Sequence, residues 1–134
     1  MAGSSHPPTG APIARDLPAT LHGLLAIAAR SIGADAAAVY LADAETGDLV
    51  LAAALGAPPT ALGHRLAPGE GLVGHVISEG RSVVSDDVQI DARAARRRSD
   101  WDGTPPTGPF LGLPLRTGAL VIGVVELTRQ RAVP

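Results

Sequence analysis

The sequence predicts an α+β fold in which helices pack against an antiparallel sheet. Two observations predict it. Apolar residues recur at helical spacing in two segments, and four apolar runs are grouped in pairs by gaps too short for a crossover helix. The chain has 134 residues, of which 46% are hydrophobic and 18% are charged. This length and composition suffice for one domain with a buried core.

Steps of three and four between apolar residues predict the helices. The first is expected to begin at Asp16 or Leu17, with Pro18 in its first turn, and to end at Gly33. Its apolar face consists of Leu17, Leu21, Leu24, Leu25, Ala28 and Ile32. The second helix is expected over residues 72–79, after a glycine-rich turn.

Two hairpins are predicted to form most of the sheet. Their apolar runs are residues 36–42, 49–55, 110–115 and 120–128. Alternation along the first run places Val39 and Leu41 on one face and Tyr40 on the other. Gly112 and Pro114 indicate that the third run is a kinked or edge strand. Short strands are also expected at residues 65–66 and 83–84.

Three segments do not fit this pattern of helices and strands. Residues 86–109 are long, polar and rich in arginine and proline, which is typical of a functional or mobile loop, so we expect a mobile lid. Residues 1–12 are expected to be a flexible arm, and residues 132–134 the start of a linker or tail. Residues 13–131 then form the folded domain.

The composition excludes several classes of function. With 13 acidic and 11 basic residues, the chain lacks the basic field of a nucleic-acid-binding protein. It has no cysteine, which excludes disulfides, thiolate metal sites and a cysteine nucleophile. No apolar run approaches the ~20 residues that cross a bilayer, and the first residues are too polar for a signal peptide. We therefore expect a cytoplasmic location with neither membrane nor nucleic acid as a partner.

Three segments together resemble the GAF family, the small sensory domains of signalling proteins. They are Val39-Tyr40-Leu41-Ala42-Asp43, residues 69–87 beginning with Gly69-Glu70-Gly71-Leu72-Val73-Gly74, and Phe110-Leu111-Gly112-Leu113-Pro114-Leu115 followed by Ile122-Gly123-Val124-Val125-Glu126-Leu127. The resemblance covers residues 17–130. It implies a central antiparallel sheet of five or six strands, helices packed on one face, and a long loop over a ligand pocket on the other.

Gly69, Gly71 and Gly74 also match the dinucleotide-binding fingerprint letter by letter. A dinucleotide site needs a buried parallel strand before the glycines and a β-α-β unit around them. Here Pro68 and a polar stretch precede the glycines, and antiparallel hairpins flank them. We interpret the glycines as structural, forming a tight turn that lets a helix pack closely on the sheet.

Two groups of polar residues have both a functional and a structural interpretation. The candidate metal ligands are His64, His75, Asp86, Asp87 and Asp91. Some GAF domains of nitric-oxide-responsive regulators hold iron with Arg, Asp and His, and Arg65 falls near such a position, but only part of a ligand set is present. A candidate anion site consists of Arg93, Arg96, Arg97 and Arg98. Solvated surface residues are the commoner explanation for both groups, and we expect no metal.

Residues 104–114 resemble the heme-binding GAF domains of redox- and oxygen-sensing histidine kinases. In those domains a histidine before a Pro-Pro step is the proximal iron ligand. Thr104 stands at that place here, and a hydroxyl is a poor ligand for heme iron. We expect the fold and the loop to carry over, but no heme or other cofactor.

The resemblance predicts a sensory or regulatory domain of a bacterial signal-transduction protein, such as one in a two-component system. The free methionine sulfoxide reductases share the fold but need cysteines, so we expect no enzymatic activity. An unidentified small molecule is the expected ligand. Its predicted contacts are Tyr40, Leu72, Val76, Asp87, Trp101 and Phe110.

The expected partners are a second copy of the chain and an effector domain. The apolar face of the first helix is the predicted contact of the homodimer, and it includes Leu21 and Leu25. The effector would be a histidine kinase, a phosphatase or a transcriptional regulator. The alternative function is a dimerisation module with a filled core and no ligand.

Overall fold

The computed structural model describes residues 11–57, 59–93 and 108–129. Within them the chain forms two helices and six strands. In order these are α1 (Ala11–Ile32), β1 (Ala36–Ala42), β2 (Leu49–Leu55), β3 (Arg65–Leu66), α2 (Gly71–Glu79), β4 (Val83–Ser85), β5 (Phe110–Thr117) and β6 (Leu120–Thr128). Single 3-10 turns occur at Pro59–Ala61 and Val88–Ile90. The predicted α+β fold and both predicted hairpins are confirmed.

The six strands form one antiparallel sheet in the order β3-β2-β1-β6-β5-β4. The two hairpins lie side by side because β1 pairs with β6, with Tyr40 opposite Val124. The register of β2 shifts along β1, since Val39 pairs with Ala53 while Tyr40 pairs with Leu51. Ala52 is therefore the extra residue of a β-bulge.

The two helices lie on opposite faces of this sheet. α1 packs Leu25 and Ala29 into a cluster that contains Val39, and α2 packs Val76 into a cluster that contains Tyr40. The expectation that the helices share one face is wrong. Val39 and Tyr40 are both buried although successive residues of a strand point to opposite faces, so each face needs its own covering helix.

α1 begins earlier than predicted, at Ala11 rather than at Asp16 or Leu17. Ala11 and Pro12, which were expected in the flexible arm, are therefore helical. Alanine is the best helix former, and a proline in the first turn removes no intrahelical hydrogen bond. Pro18 lies inside the helix, where it does remove one. Residues 1–10 lie outside the described part of the chain.

β5 is an interior strand, not an edge strand, since it pairs with β4 on one side and β6 on the other. Pro114 pairs with Val124 of β6, whereas β4 begins opposite Gly112 and runs away from Pro114. On the β4 side no strand therefore faces Pro114, and its missing N–H costs no ladder hydrogen bond there. The irregularity in β5 is a register shift that falls between Leu115 and Arg116.

The glycine motif at the start of α2 has the structural role expected of it. Gly69 and Gly71 have φ angles of 82° and 66°, a region that favours glycine. The Gly69 N–H donates to the Gly74 carbonyl oxygen at 3.2 Å, and a Cβ on Gly74 would lie 2.7 Å from the backbone of Gly69. The preceding strand, β3, pairs antiparallel with β2, so the motif does not sit in a parallel β-α-β unit.

Candidate functional site

The α2 face of the sheet carries an apolar cluster that brings together four of the six predicted ligand contacts. Tyr40 comes from β1, Leu72 and Val76 from α2, and Phe110 from the first position of β5. All four are at most 2% exposed. Because α2 presents residues four apart to the sheet, Leu72 and Val76 fall on the same side of the helix.

The close approach of α2 to β5 depends on Gly112. A Cβ at this position would lie 2.6 Å from Cγ2 of Val76 and 2.9 Å from Cε1 of Phe110. The side chains of the helix and of the first residue of β5 therefore occupy the space above this glycine. This packing fixes the phenyl ring of Phe110 at the end of the cluster nearest β4.

Buried polar side chains adjoin this end of the cluster. Among the described residues they are Ser85, Asp87 and Glu126, and each is at most 9% exposed. Ser85 lies opposite Phe110, and Glu126 lies opposite Gly112, so both side chains belong to the α2 face. Asp87 lies two residues after the end of β4 and precedes Val88, a member of the cluster.

Of these three polar residues, the sequence analysis predicted Asp87 and missed the other two. A usable signal existed for Glu126. It lies two residues after Val124, so strand alternation puts it on the same face as a core valine. Ser85 carries no such signal, because β4 is only three residues long.

An ion pair between Arg93 and Asp91 stabilises the segment immediately after the 3-10 turn at Val88–Ile90. Arg93 donates from Nε to Oδ1 of Asp91 at 2.9 Å and from Nη2 to Oδ2 at 2.7 Å. Nη2 also donates to the Val84 carbonyl oxygen at 3.0 Å. The Arg93 hydrogen bond, with a further one from Ser85, holds the pKa of Asp91 well below its usual range, against the effect of desolvation. Arg93 therefore already binds an internal carboxylate.

Arg65, which was considered as a metal ligand with Asp86 or Asp87, lies in a different cluster. Its guanidinium bonds Asp43, Asp48 (Nε to Oδ2, 3.2 Å) and the Thr46 hydroxyl (3.1 Å). Hydrogen bonding to Arg65 lowers the pKa of Asp43. The cluster fastens the turn between β1 and β2 to β3. In the part of the chain that the structure describes, no three His, Asp or Glu side chains are grouped to hold a metal ion.

Several predicted functional residues fall outside the described residues. They are Trp101, Thr104, Arg96, Arg97 and Arg98. The greater part of the predicted lid, residues 94–107, is also outside. The base of that segment is described, and there the Val88 N–H donates to the Gly108 carbonyl oxygen at 2.9 Å.

The opposite face of the sheet carries a cleft beside α1. Its volume is about 180 Å³, and it is partly open to solvent. It is lined by Pro18, His22, Ala52, Ala53, Ala54, Ala57 and Leu62. The bulge at Ala52 and the small alanine side chains leave this space. The sequence analysis did not predict a cleft beside α1.

α1 also carries apolar side chains that its own sheet does not cover. Leu17, Leu24 and Ile27 are 43%, 58% and 64% exposed, and we call these three residues the α1 stripe. The predicted dimer contact included Leu21 and Leu25, but both pack against the sheet, and Leu25 is only 3% exposed.

No helix among the described residues is long and apolar enough to cross a membrane.

The sequence model of the GAF domain family matches residues 14–133, nearly the whole chain. The chain belongs to the GAF family. The predicted resemblance is thereby confirmed, while the closer likeness to heme-binding members stays a prediction. GAF domains are typically sensory or regulatory parts of signalling proteins. A comparison with curated proteins finds no match.

Solved GAF domains have the same fold. The GAF domain of a phosphoenolpyruvate-protein phosphotransferase from Coxiella burnetii is 25% identical with a TM-score of 0.75, and the match covers 86% of this chain and 68% of that one. The corresponding domain from Acinetobacter is 25% identical with a TM-score of 0.68, over 84% of this chain and 65% of that one. The chain thus spans about two thirds of the length of these structures.

Enzymes are among the similar structures. The free methionine-R-sulfoxide reductase from Neisseria meningitidis, solved with its substrate, is 24% identical with a TM-score of 0.67, over 83% of this chain and 61% of that one. GAF domains are generally non-catalytic, and this likeness extends to the fold alone. This GAF domain has no cysteine anywhere in its sequence.

Proposed function

We propose that this GAF domain binds a small organic molecule on the α2 face of its sheet and catalyses no reaction. Support comes from the buried Ser85, Asp87 and Glu126 beside the apolar cluster. Small-molecule sites are lined mainly by apolar groups, with a few polar groups that orient the ligand. The α2 face combines both kinds of residue at the end of the cluster nearest β4.

The proposed contacts remain the six residues that the sequence predicted, namely Tyr40, Leu72, Val76, Asp87, Trp101 and Phe110. Tyr40 and Val76 are fully buried, so a ligand would contact them only from within the cluster. Asp87 would accept a hydrogen bond that orients the ligand. The positions of Ser85 and Glu126 add both to the proposed contacts.

We further propose that the domain regulates an effector in a bacterial, cytoplasmic signalling protein. Residues 13–131 would be the sensory unit, and residues 132–134 the start of the connection to a histidine kinase, a phosphatase or a transcriptional regulator, for example in a two-component system. The similar GAF domains from Coxiella burnetii and Acinetobacter are parts of phosphoenolpyruvate-protein phosphotransferases, which supports a bacterial regulatory setting.

Native mass spectrometry of protein purified from its own organism tests the proposal, followed by thermal-shift screening of a metabolite library. A ligand that is retained, or that raises Tm in a concentration-dependent way, is the expected result. Asp87→Asn should reduce the Tm shift, whereas Asp86→Asn, a change in an exposed neighbour, should leave it intact. If no compound is retained and none shifts Tm, the proposal is wrong.

The alternative function, a dimerisation module without a ligand, is favoured by the α1 stripe. Exposed apolar side chains on one helix are typical of an interaction surface. Ligand retention distinguishes the two functions. The dimerisation module would retain no ligand, whereas the sensor would retain one.

A further inference from the structure

Arg129 joins three segments of the chain where β6 ends. Its backbone N–H donates to the Pro109 carbonyl oxygen at 3.1 Å. Its guanidinium donates from Nε to the Gly33 carbonyl oxygen at 3.0 Å and from Nη2 to that of Ile32 at 2.9 Å. One residue therefore holds the end of α1 against the start of β5.

The end of α1 is suited to this arginine. The last carbonyl groups of a helix have no partner within it and lie at the negative end of its dipole. A planar guanidinium offers several N–H donors in a fixed arrangement, so it can bond the carbonyl of Ile32, the last residue of α1, together with that of Gly33, which follows the helix. Gly33 is needed for the contact, because a Cβ there would lie 2.8 Å from Nη2 of Arg129.

The same arginine is connected to the candidate site. Pro109, which accepts its N–H, directly precedes Phe110 of the cluster, and Gly108 accepts the N–H of Val88. The Val88 side chain is 6% exposed and belongs to the same cluster. Hydrogen bonds thus link Val88 on the α2 face to the end of α1 on the other face. The path runs through the adjacent backbone carbonyls of Gly108 and Pro109 and then through Arg129.

We propose that Arg129 couples the candidate site on the α2 face to the last turn of α1. The biological meaning of this coupling rests on the proposed function, since a ligand that displaces Val88 would change how firmly α1 is capped. Arg129 acts as a positioning residue, because its contacts are with Pro109 and the end of α1, not with the side chains of the site.

The test uses substitutions in place of a ligand. Amide hydrogen exchange is measured over residues 28–34 in the wild type, Val88→Ala, Arg129→Gln and the double variant, with amides of β1 and β6 as the reference for global stability. Val88→Ala is expected to raise exchange in the last turn of α1 roughly tenfold when Arg129 is present. Combined with Arg129→Gln, it should add nothing. This non-additivity would not arise if Arg129 were only a cap.

Two matched variants act as controls. Val84→Ala truncates an exposed valine on β4 and should leave exchange over residues 28–34 unchanged. Arg116→Gln removes an exposed arginine on β5 and should leave the effect of Val88→Ala intact. The proposal is overturned if Val88→Ala does not reach α1, or if its effect is equally large with and without Arg129→Gln. An unsuccessful ligand screen would contradict the proposed function and leave this result standing.

Discussion

At the scale of single residues, Gly112 determines how closely the second helix approaches the sheet. The position lies between Glu126 of β6 and Val83 of β4 in the register of the strands. The space that a side chain would occupy there is taken by Val76 and Phe110. The geometry of the candidate site therefore depends on the absence of one methyl group.

Gly112→Ala is expected to destabilise the domain by about 1–3 kcal/mol, because the added methyl overpacks the cluster and displaces Phe110 or Val76. Chemical denaturation followed by circular dichroism measures the free energy of unfolding. An unchanged free energy would show that α2 shifts freely away from β5, which contradicts the packing described.

The ion pair between Asp91 and Arg93 gives a second prediction. Asp91→Asn should lower the free energy of unfolding at pH 7 by about 1 kcal/mol, since a charge-assisted hydrogen bond is lost on a partly exposed pair. The pKa of Asp91 is lower in the folded than in the unfolded chain. Its contribution is therefore complete above the unfolded pKa of about 4 and is lost as pH falls further.

Thermal melts of the wild type and Asp91→Asn between pH 7 and pH 2.5 check this dependence. The difference in Tm between the two proteins should be constant down to about pH 4 and then shrink. Asp86→Asn is the control, since Asp86 is exposed and lies in the same short segment. A difference that grows on acidification would have the wrong sign for the ion pair.

At the scale of elements, the sequence predicts which helices and strands form, and in what order, better than it predicts where they pack. Both hairpins, α2 and β4 fall within a few residues of their predicted positions, because apolar periodicity and glycines mark them locally. The side of the sheet on which α2 packs is a tertiary property that no local pattern contains. The same holds for Ser85, whose burial results from pairing with Phe110 of β5, which is distant from it in sequence.

The start of α1 was misplaced for a different reason. Proline is most favourable in the first turn of a helix, so Pro18 was expected there. The residues before Asp16 were therefore left out of the predicted helix. The alanines among residues 11–19 favour helix strongly enough to accommodate Pro18 in the interior. Alternation in β1 correctly separated Tyr40 from Val39, which is why Tyr40 lies in the same cluster as Leu72, Val76 and Phe110.

α1 itself offers a simple test of its environment at Gly23. A Cβ at this position would meet no atom within 4 Å, and Gly23 lies in the middle of the helix. Gly23→Ala should therefore stabilise the domain by about 0.5–1 kcal/mol through helix propensity alone. A rise in Tm of a few degrees is the expected reading. A fall in Tm would mean that this side of α1 is covered by a close partner.

At the scale of the whole molecule, the two faces of the sheet differ in the residues they carry. The α2 face gathers the buried polar residues and the apolar cluster, while the α1 face presents its stripe outward. A sensory domain needs both a place for a ligand and a surface through which a change is communicated. The distribution of residues over the two faces is consistent with this division.

Leu24→Glu is expected to convert a dimer into a monomer without unfolding it, since Leu24 is 58% exposed at the centre of the α1 stripe. Leu120→Glu is the matched control, because Leu120 is 65% exposed on β6 and outside the stripe. Sedimentation velocity over a range of concentrations distinguishes the two. The homodimer through α1 is ruled out if the wild type sediments as a monomer throughout, or if both variants sediment like the wild type.

The two edges of the sheet bear on how this domain behaves at high concentration. Exposed edge strands can recruit strands from other molecules and so start aggregation. Here β3 has two residues and β4 has three. Arg93 also donates a hydrogen bond to the carbonyl oxygen of Val84 in β4. Beyond these short strands the edges pass to β2, which has its bulge at Ala52, and to β5, which contains Pro114, so neither edge offers the long, flat template that a fibril requires. A sheet with so much valine, leucine and alanine can therefore stay dispersed without a high net charge to keep its copies apart.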